Sequence, residues 1–174
     1  MKTQSLPITL GMVVQDEAQL LPDCLDAIRS WVQELVVVDT GSRDRTSRLA
    51  KQLDARLLRY RWQGDFSKAR NVYLEAATCP WILVLDAPER IDERDFPCLA
   101  QLVRSRKNLT YSFSIRNYTN TFNLLSGWYP NRGEYEEQEK ASGAYGWFSS
   151  SATRLFPRSK KIRYQGFRHA TVDP

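Results

Sequence analysis

The sequence predicts an α/β fold with a mainly parallel central sheet and helices on both of its faces. Through the first half of the chain, short and continuously apolar runs alternate with segments of helical period. That is the pattern of strands buried on both sides and joined by crossover helices. Two of the runs, residues 35–38 and 83–85, end in Asp39 and Asp86, at the carboxyl ends where open parallel sheets bind ligands. The length of 174 residues suits one domain with a real hydrophobic core, so residues 1–174 read as a single domain.

Residues 8–14 are the first strand. Leu21, Leu25, Ile28 and Val32 then fall on one helical face, with Cys24 and Trp31 beside it. Residues 35–38 form the second strand. A short helix over 44–53 turns Leu49 and Leu53 inward, and 55–60 is a weaker strand. Ser67 caps a helix running to about Ala77, with Ala69, Tyr73 and Ala76 on its apolar side. Residues 81–85 make the next strand. Asp95 starts a helix whose Leu99, Leu102 and Val103 face the core. Such alternation implies right-handed crossovers.

Beyond residue 110 the character changes. Tyr111, Phe113 and Ile115 alternate with Ser112, Ser114 and Arg116, as in a half-exposed strand. Residues 117–146 show little periodicity and read as a long functional loop or lid. Residues 148–156 and 162–164 are late strands.

Composition narrows the function classes. Apolar residues are 42% and charged residues 26% of the chain, which is globular rather than disordered. A net charge of +5 favours anionic partners such as nucleotide phosphates or anionic lipid. No apolar run approaches the ~20 residues of a membrane span. Residues 8–14 are too short for a signal core, and Gln15-Asp16-Glu17 follows without a small-residue cleavage site. Cys24, Cys79 and Cys98 are odd in number and lack paired spacing, as expected of buried thiols in the reducing cytoplasm. With His169 the sole histidine, a multi-histidine zinc site is excluded. The first strand is not followed by the glycine-rich turn of a dinucleotide fold, and there is no phosphate-loop lysine motif. Nothing supports nucleic-acid binding beyond charge, since no recognition-helix or stacking motif is present.

Asp39 and Asp86 each have an ordinary explanation, because Asp often caps the turn or helix after a strand. As a pair at two strand ends in a basic protein, they point to a polar ligand carrying both hydrogen-bond donors and phosphate.

At this point the residues resemble a known group. Residues 8–17 (Ile-Thr-Leu-Gly-Met-Val-Val-Gln-Asp-Glu) look like the opening strand of family 2 glycosyltransferases with the GT-A fold. Residues 36–46, Val-Val-Val-Asp-Thr-Gly-Ser-Arg-Asp-Arg-Thr, are similar to their second strand and turn. Asp65-Phe66-Ser67-Lys68-Ala69-Arg70-Asn71 resembles a helix start in the branch of lipopolysaccharide-core glucosyltransferases. Residues 81–87, Trp-Ile-Leu-Val-Leu-Asp-Ala, resemble the strand before the acidic DxD motif. Arg154-Leu155-Phe156 and residues 163–169 look like late family segments. The resemblance spans most of the chain in the expected order.

It implies a GT-A-like domain that binds a nucleoside diphosphate sugar and moves a hexose, with inversion, to a glycan, lipid-linked or protein acceptor. By similarity, Asp39 accepts hydrogen bonds from the base, Val14 and Glu17 line the base and ribose pocket, and Arg70 meets the base or the diphosphate. A guanidinium suits phosphate through its planar fork of donors; the alternative for Arg70 is a surface ion pair with Asp65 or Glu75. Asp86 and Ala87 open the DxD position, which in the family holds the ribose and a divalent cation, Mg or Mn. His169 takes the place of a histidine that approaches this metal. Two departures weaken that site: Pro88 stands where the second acid belongs, with Glu89 directly after it, and Ala170 follows His169 where Glu is common.

An inverting transferase also needs a carboxylate near the acceptor hydroxyl. Glu134, Glu136, Glu137 and Glu139 lie in the implied acceptor region, 117–146, but none sits in a clear family motif, and a solvated acidic loop is the plainer reading of each. Trp128 and Tyr129 either stack on a sugar or belong to the core. The stretch 154–168 holds cations and no acid, which would counter a diphosphate, or a lipid-linked acceptor at the inner face of a membrane; a solvated basic face is the plainer reading. The rival to an active transferase is a degenerate relative that binds nucleotide or sugar without transfer, and a more distant one is an anion-binding or membrane-surface module.

Overall fold

In chain order the elements are β1 (Leu6–Val14), α1 (Leu21–Ile28), β2 (Val32–Asp39), α2 (Thr46–Gln52), β3 (Arg56–Arg59), α3 (Phe66–Ala76), β4 (Trp81–Val84) and α4 (Phe96–Arg104). There follow β5 (Tyr111–Thr119), β6 (Trp128–Pro130), α5 (Glu136–Ser142), β7 (Gly146–Pro157), β8 (Arg163–Gln165) and β9 (Thr171–Asp173). The computed structural model describes residues 5–105, 109–121, 127–166 and 171–173. The chain divides into two compact units, residues 1–110 with 154–174 and residues 111–153.

In the first unit the strand order is β3-β2-β1-β4, all parallel. The last residues of β7 then add antiparallel to β4, with Ile82 opposite Phe156 and Leu83 opposite Leu155. The sheet is therefore mixed but mainly parallel, as the sequence predicts. Its central strands are buried almost throughout: Ile8, Leu10, Met12, Val38, Ile82 and Leu83 are at most 1% exposed. Tyr73 of α3 lies flat under β1, and a Cβ on Gly11 would overlap its ring. Only glycine permits that close approach of helix and strand. Val36, Val38, Ile82, Val84, Phe156 and Tyr164 complete this side of the core.

Several local expectations shift for physical reasons. Val32 belongs to β2 rather than to the first helix. α1 stops at Ile28, the Trp31 N–H turns back to the Ile28 carbonyl at 2.8 Å, and the Trp31 ring stacks on Phe96 with centroids 4.3 Å apart. α3 is capped by Asp65, whose carboxylate accepts the Lys68 N–H at 3.2 Å, while the Ser67 hydroxyl donates to the Gly166 carbonyl. Leu49, Leu53 and Leu102 are half-buried, and Thr46 and Ala50 are the buried positions of α2. Cys24 and Cys79 are buried thiols, but Cys98 is exposed, on the solvent side of α4.

The second unit holds β5, β6, α5 and the first part of β7, so the segment 117–146 is not a bare loop: it contains the end of β5, β6 and α5. β6 pairs antiparallel with β7, Tyr129 opposite Trp147 and Pro130 opposite Gly146. Gly146 is required there, because a Cβ would enter the Trp128 ring. Gly143, in the left-handed region at φ 61°, ends α5 in the manner typical of helix C-termini.

Candidate functional site

Two loops at the carboxyl ends of β1 and β2 are knitted together before any ligand is considered. The Asp16 carboxylate accepts the Arg43 N–H at 2.6 Å, and the Asp16 N–H donates to the Ser42 hydroxyl at 2.9 Å. The Glu17 N–H donates to the Thr46 hydroxyl at 2.8 Å, and the Ala18 N–H to the Asp44 carboxylate at 3.0 Å. Asp16 adopts φ 56° to make this turn, a conformation Asp tolerates better than most residues. The Thr40 N–H and hydroxyl both donate to the Val14 carbonyl, at 3.0 and 3.1 Å.

Asp39 closes β2 and is 4% exposed. One carboxylate oxygen accepts the N–H groups of Gly41 (2.9 Å) and Ser42 (2.8 Å), and the other accepts the Ser47 hydroxyl. Burial alone would raise its pKa, but the Ser47, Ser42 and Gly41 donors outweigh it, and the carboxyl is held below the ordinary aspartate range.

Beside these loops lies a cleft of about 440 Å³. Val13, Val14, Gln15 and Glu17 form one wall with Thr40. Trp62 and Phe66 form an aromatic edge, their rings in T-shaped contact at 4.7 Å. Arg70, Asp86, Ala87 and Pro88 complete it. Of the residues singled out in the sequence, Val14, Glu17, Arg70, Asp86 and Ala87 thus line one cleft. Asp39 does not line it; its neighbour Thr40 does. His169 lies outside the described residues.

Arg70 and Asp86 face each other at 3.6 Å, and the Arg70 guanidinium also sits over the Tyr164 ring, 5.3 Å from its centroid. Arg70 therefore turns toward the cleft rather than pairing with Asp65 or Glu75. Asn71, one residue on, fixes Tyr164 with a reciprocal pair: its amide donates to the Tyr164 carbonyl at 3.1 Å and accepts the Tyr164 N–H at 2.9 Å. On its other oxygen, Asp86 meets Arg154 at 3.6 Å.

Arg154 holds this turn through a partner that the sequence did not reveal. Its side chain is 9% exposed and ion-paired with Glu89. Glu89 in turn accepts the Asp86 N–H at 2.9 Å and gives its own N–H to the Asp86 carbonyl at 2.9 Å. Burial raises the Glu89 pKa, with Arg154 and the Asp86 N–H opposing it. The run Arg154-Leu155-Phe156 stood out in the sequence, but the partner of its arginine, 65 residues away, did not. Trp62, Phe66, Gln15 and Thr40 carried no signal of their own.

The donor set decides what cation the site could take. Both Glu89 oxygens are engaged within the turn, by the Asp86 N–H and by Arg154, so Glu89 does not replace the acid missing at Pro88. Among the described residues no group of three His, Cys, Asp or Glu side chains converges. Asp86, 44% exposed at its side chain, and Glu17 are the carboxylates on the cleft wall that can meet a ligand-bound cation. Mg bound to phosphates uses one or two carboxylates, so the residues fit a cation carried by a diphosphate, and not a cage made by protein alone.

In the acidic segment Glu134 and Glu136 are exposed, as a solvated face predicts, and Glu139 is not. Glu134 pairs with Arg116 at 2.7 Å, Glu136 pairs with Lys140, and Glu139 is buried, accepting the Gly133 N–H at 2.9 Å. The Glu137 side chain lies outside what is described. Among the described residues no helix is long and apolar enough to cross a membrane.

Comparison with known proteins adds a family to this geometry. The model of glycosyl transferase family 2 matches residues 9–171. A TPR repeat-containing protein of Synechococcus elongatus is 54% identical over 84 residues, covering 48% of this chain and 21% of that protein. The lipopolysaccharide core biosynthesis glycosyltransferase LpsC of Rhizobium meliloti is 30% identical over 93 residues, 51% of this chain and 34% of LpsC. Among solved structures, the mannosyltransferase PcManGT of Pyrobaculum calidifontis, in complex with GDP-Man and Mn2+, superposes with a TM-score of 0.52 at 21% identity, over 64% of this chain and 35% of that one. The fold is that of the GT-A glycosyltransferases. The chain spans about a fifth to a third of the length of these curated relatives.

Proposed function

The chain belongs to glycosyl transferase family 2, and from that premise we propose that it binds a nucleoside diphosphate sugar in the cleft of its first unit and transfers the hexose, with inversion, to a glycan, lipid-linked or protein acceptor. The observation that carries this reading is convergence: Val14, Glu17, Arg70, Asp86 and Ala87, from separate segments of the chain, line one cleft with an aromatic edge. Such a cleft offers an apolar wall for a base, carboxylates for ribose hydroxyls and a guanidinium for phosphate, which are the three parts of the donor.

In this reading Val14, Glu17 and Thr40 take the base and ribose. Asp39 has oxygens already holding the Gly41–Ser42 turn and offers its remaining acceptor capacity to a base N–H. Arg70 meets the diphosphate. Asp86 binds ribose and would hold, with His169, a Mg or Mn ion, whose chemistry is to neutralise the departing diphosphate. The pairing of PcManGT with Mn2+ supports a divalent cation here. Pro88 and the diversion of Glu89 to Arg154 support a weaker dependence on it. We place the acceptor on the side of residues 117–146, and any membrane contact on the basic stretch 154–168, at the cytoplasmic face.

The same two features favour a second reading, a relative that binds donor without transfer. A thermal-shift screen of nucleotide sugars tests the shared step, since a ligand at a hundredfold excess over its dissociation constant adds about 2.7 kcal/mol. Stabilisation by no nucleotide or nucleotide sugar sinks both readings. Stabilisation without release of sugar to water or acceptor leaves the second.

A further inference from the structure

The second unit contains a constellation that the donor cleft does not use. Tyr129 of β6 and Trp147 of β7 are directly opposite in register, and their rings stack at 4.8 Å with planes 26° apart. The Arg116 guanidinium of β5 lies 4.3 Å from the Trp147 ring centroid and 4.0 Å from that of Tyr135. Arg116 is also held by Glu134 at 2.7 Å. Arginine is thus fixed between two rings and a carboxylate, an arrangement that removes its rotamer freedom before any ligand arrives.

A cavity of about 200 Å³ opens on this stack, lined by Arg116, Tyr129, Pro130, Arg132, Glu134 and Trp147. Tyr129 is 50% exposed there. Arg132 is exposed and has no ion-pair partner among the described residues. The cavity is smaller than the roughly 300–1,000 Å³ of ordinary ligand pockets, which suits one small ring rather than an extended ligand.

We propose that this cavity is a pyranose-binding subsite; the proposal rests on the acceptor placement given above and names a sugar ring as the group held there. A sugar ring has an apolar C–H face and a rim of hydroxyls that both donate and accept. The lining matches each part. Tyr129, backed by Trp147, supplies a flat apolar surface with a polar edge. Arg132 and Arg116 donate to hydroxyl oxygens, and Glu134 accepts from hydroxyl protons. A purely anionic ligand would not need Glu134 beside the arginines, and a purely apolar one would strand both guanidinia. Fixing Arg116 in the stack keeps its donors in one plane, so the ring is read by geometry as well as by charge.

Saturation-transfer NMR on the full chain, with methyl glucoside, methyl galactoside, methyl mannoside and glucuronate as probes, tests the proposal. At least one probe should receive saturation at its ring C–H protons. Tyr129→Ala should reduce that signal at least fivefold, while Tyr129→Phe, which keeps the face, should retain most of it. Arg132→Ala, at an exposed side chain that no fold contact requires, should reduce it at least twofold in a protein of unchanged circular dichroism. Absence of transfer to all four probes overturns the proposal, as does a signal that Arg132→Ala and Tyr129→Ala leave intact.

Discussion

The central strands of the first unit, β1, β2 and β4, are buried on both faces, whereas the strands of residues 111–153 stay half-exposed and are ordered by a stack of rings around one arginine. In the first unit, Ile8, Leu10, Val38, Ile82 and Leu83 vanish from solvent, and the polar groups sit at strand ends, tied into turns. In the second, β5 has no fully buried residue, and Tyr129, Trp147, Arg116 and Tyr135 stand face to face across the sheet. Burial of apolar area is non-directional and cumulative, so the first unit tolerates small shifts of any one contact. A cation held between rings depends on register, and one slipped residue turns its side chains to the other face. The difference teaches where each unit is vulnerable: the first at its few buried charges, the second at its cross-strand alignment.

The sharpest way to break the comparison is Arg154→Ala. It leaves Glu89 partly buried without its partner, and removal of one member of a buried ion pair costs about 3–5 kcal/mol. Loss should appear as a lowered urea midpoint for the first unit, with loss of nucleotide-sugar stabilisation because the Asp86 turn is no longer held. The double change Arg154→Met with Glu89→Leu should return most of the stability and none of the binding. An Arg154→Ala protein as stable as the parent would mean that this buried pair is not the weak point of the first unit.

Next come the two glycines that let an aromatic ring approach the backbone. Gly11→Ala forces a methyl into the Tyr73 ring, and overpacking of this kind costs about 1–3 kcal/mol. Gly146→Ala forces one into Trp128 at a similar cost. Hydrogen exchange should separate them. Gly11→Ala should speed exchange in β1, β2 and β4, and Gly146→Ala in β6 and the first part of β7. Identical exchange maps for the two variants would show that the units do not open separately.

A smaller effect is expected from Arg116→Lys. Lysine keeps the charge but not the planar stack, and a partly exposed cation–π contact is worth about 0.5–1 kcal/mol. Exchange should rise in β5 and β6 and stay unchanged in β1. An equal rise in both would undo the assignment of the stack to the second unit alone.

This contrast also explains what the sequence could reveal. Continuous apolar runs and acidic strand ends are local signals, so β1, β2 and β4 and the positions of Asp39 and Asp86 were legible one residue at a time. The convergence of Val14, Glu17, Arg70 and Asp86 was legible through the family resemblance, because their order along the chain carries it. Arg154 and Glu89 were each visible as charges, but their pairing spans the chain and has no local pattern. The capping of α3 by Asp65 instead of Ser67 turned on which side chain reached a backbone N–H. In 117–146 the decisive contacts join Arg116, Tyr129, Tyr135 and Trp147, and neither period 2 nor period 3.6 connects them, so helix and strands there looked like loop.

The smallest effect concerns acid, and it arises because two carboxyls of the first unit titrate in opposite senses. The donors of Ser47, Ser42 and Gly41 hold the Asp39 pKa below the ordinary aspartate value of 3.8. Its contribution to stability is therefore complete above about pH 3.8 and is lost as pH falls through the depressed folded value. Glu89 is raised above 4.5 by burial. Its contribution is complete below 4.5 and is lost as pH rises through the raised folded value. In the parent these two trends oppose each other, while Glu34, Asp44 and Asp92, also held low by their hydrogen-bond donors, add to the Asp39 trend. Single variants separate them. Relative to the parent, Asp39→Asn should lose stability as pH rises from 3 to 7, because the parent alone gains the ionised Asp39 contacts. Glu89→Gln should move the other way over the same range, whatever its offset at pH 3, because the parent alone must ionise a buried carboxyl. Urea midpoints at half-unit pH steps measure both curves. Parallel curves for the two variants would show that the turn donors at Asp39 and the burial at Glu89 do not govern the acid behaviour of the first unit.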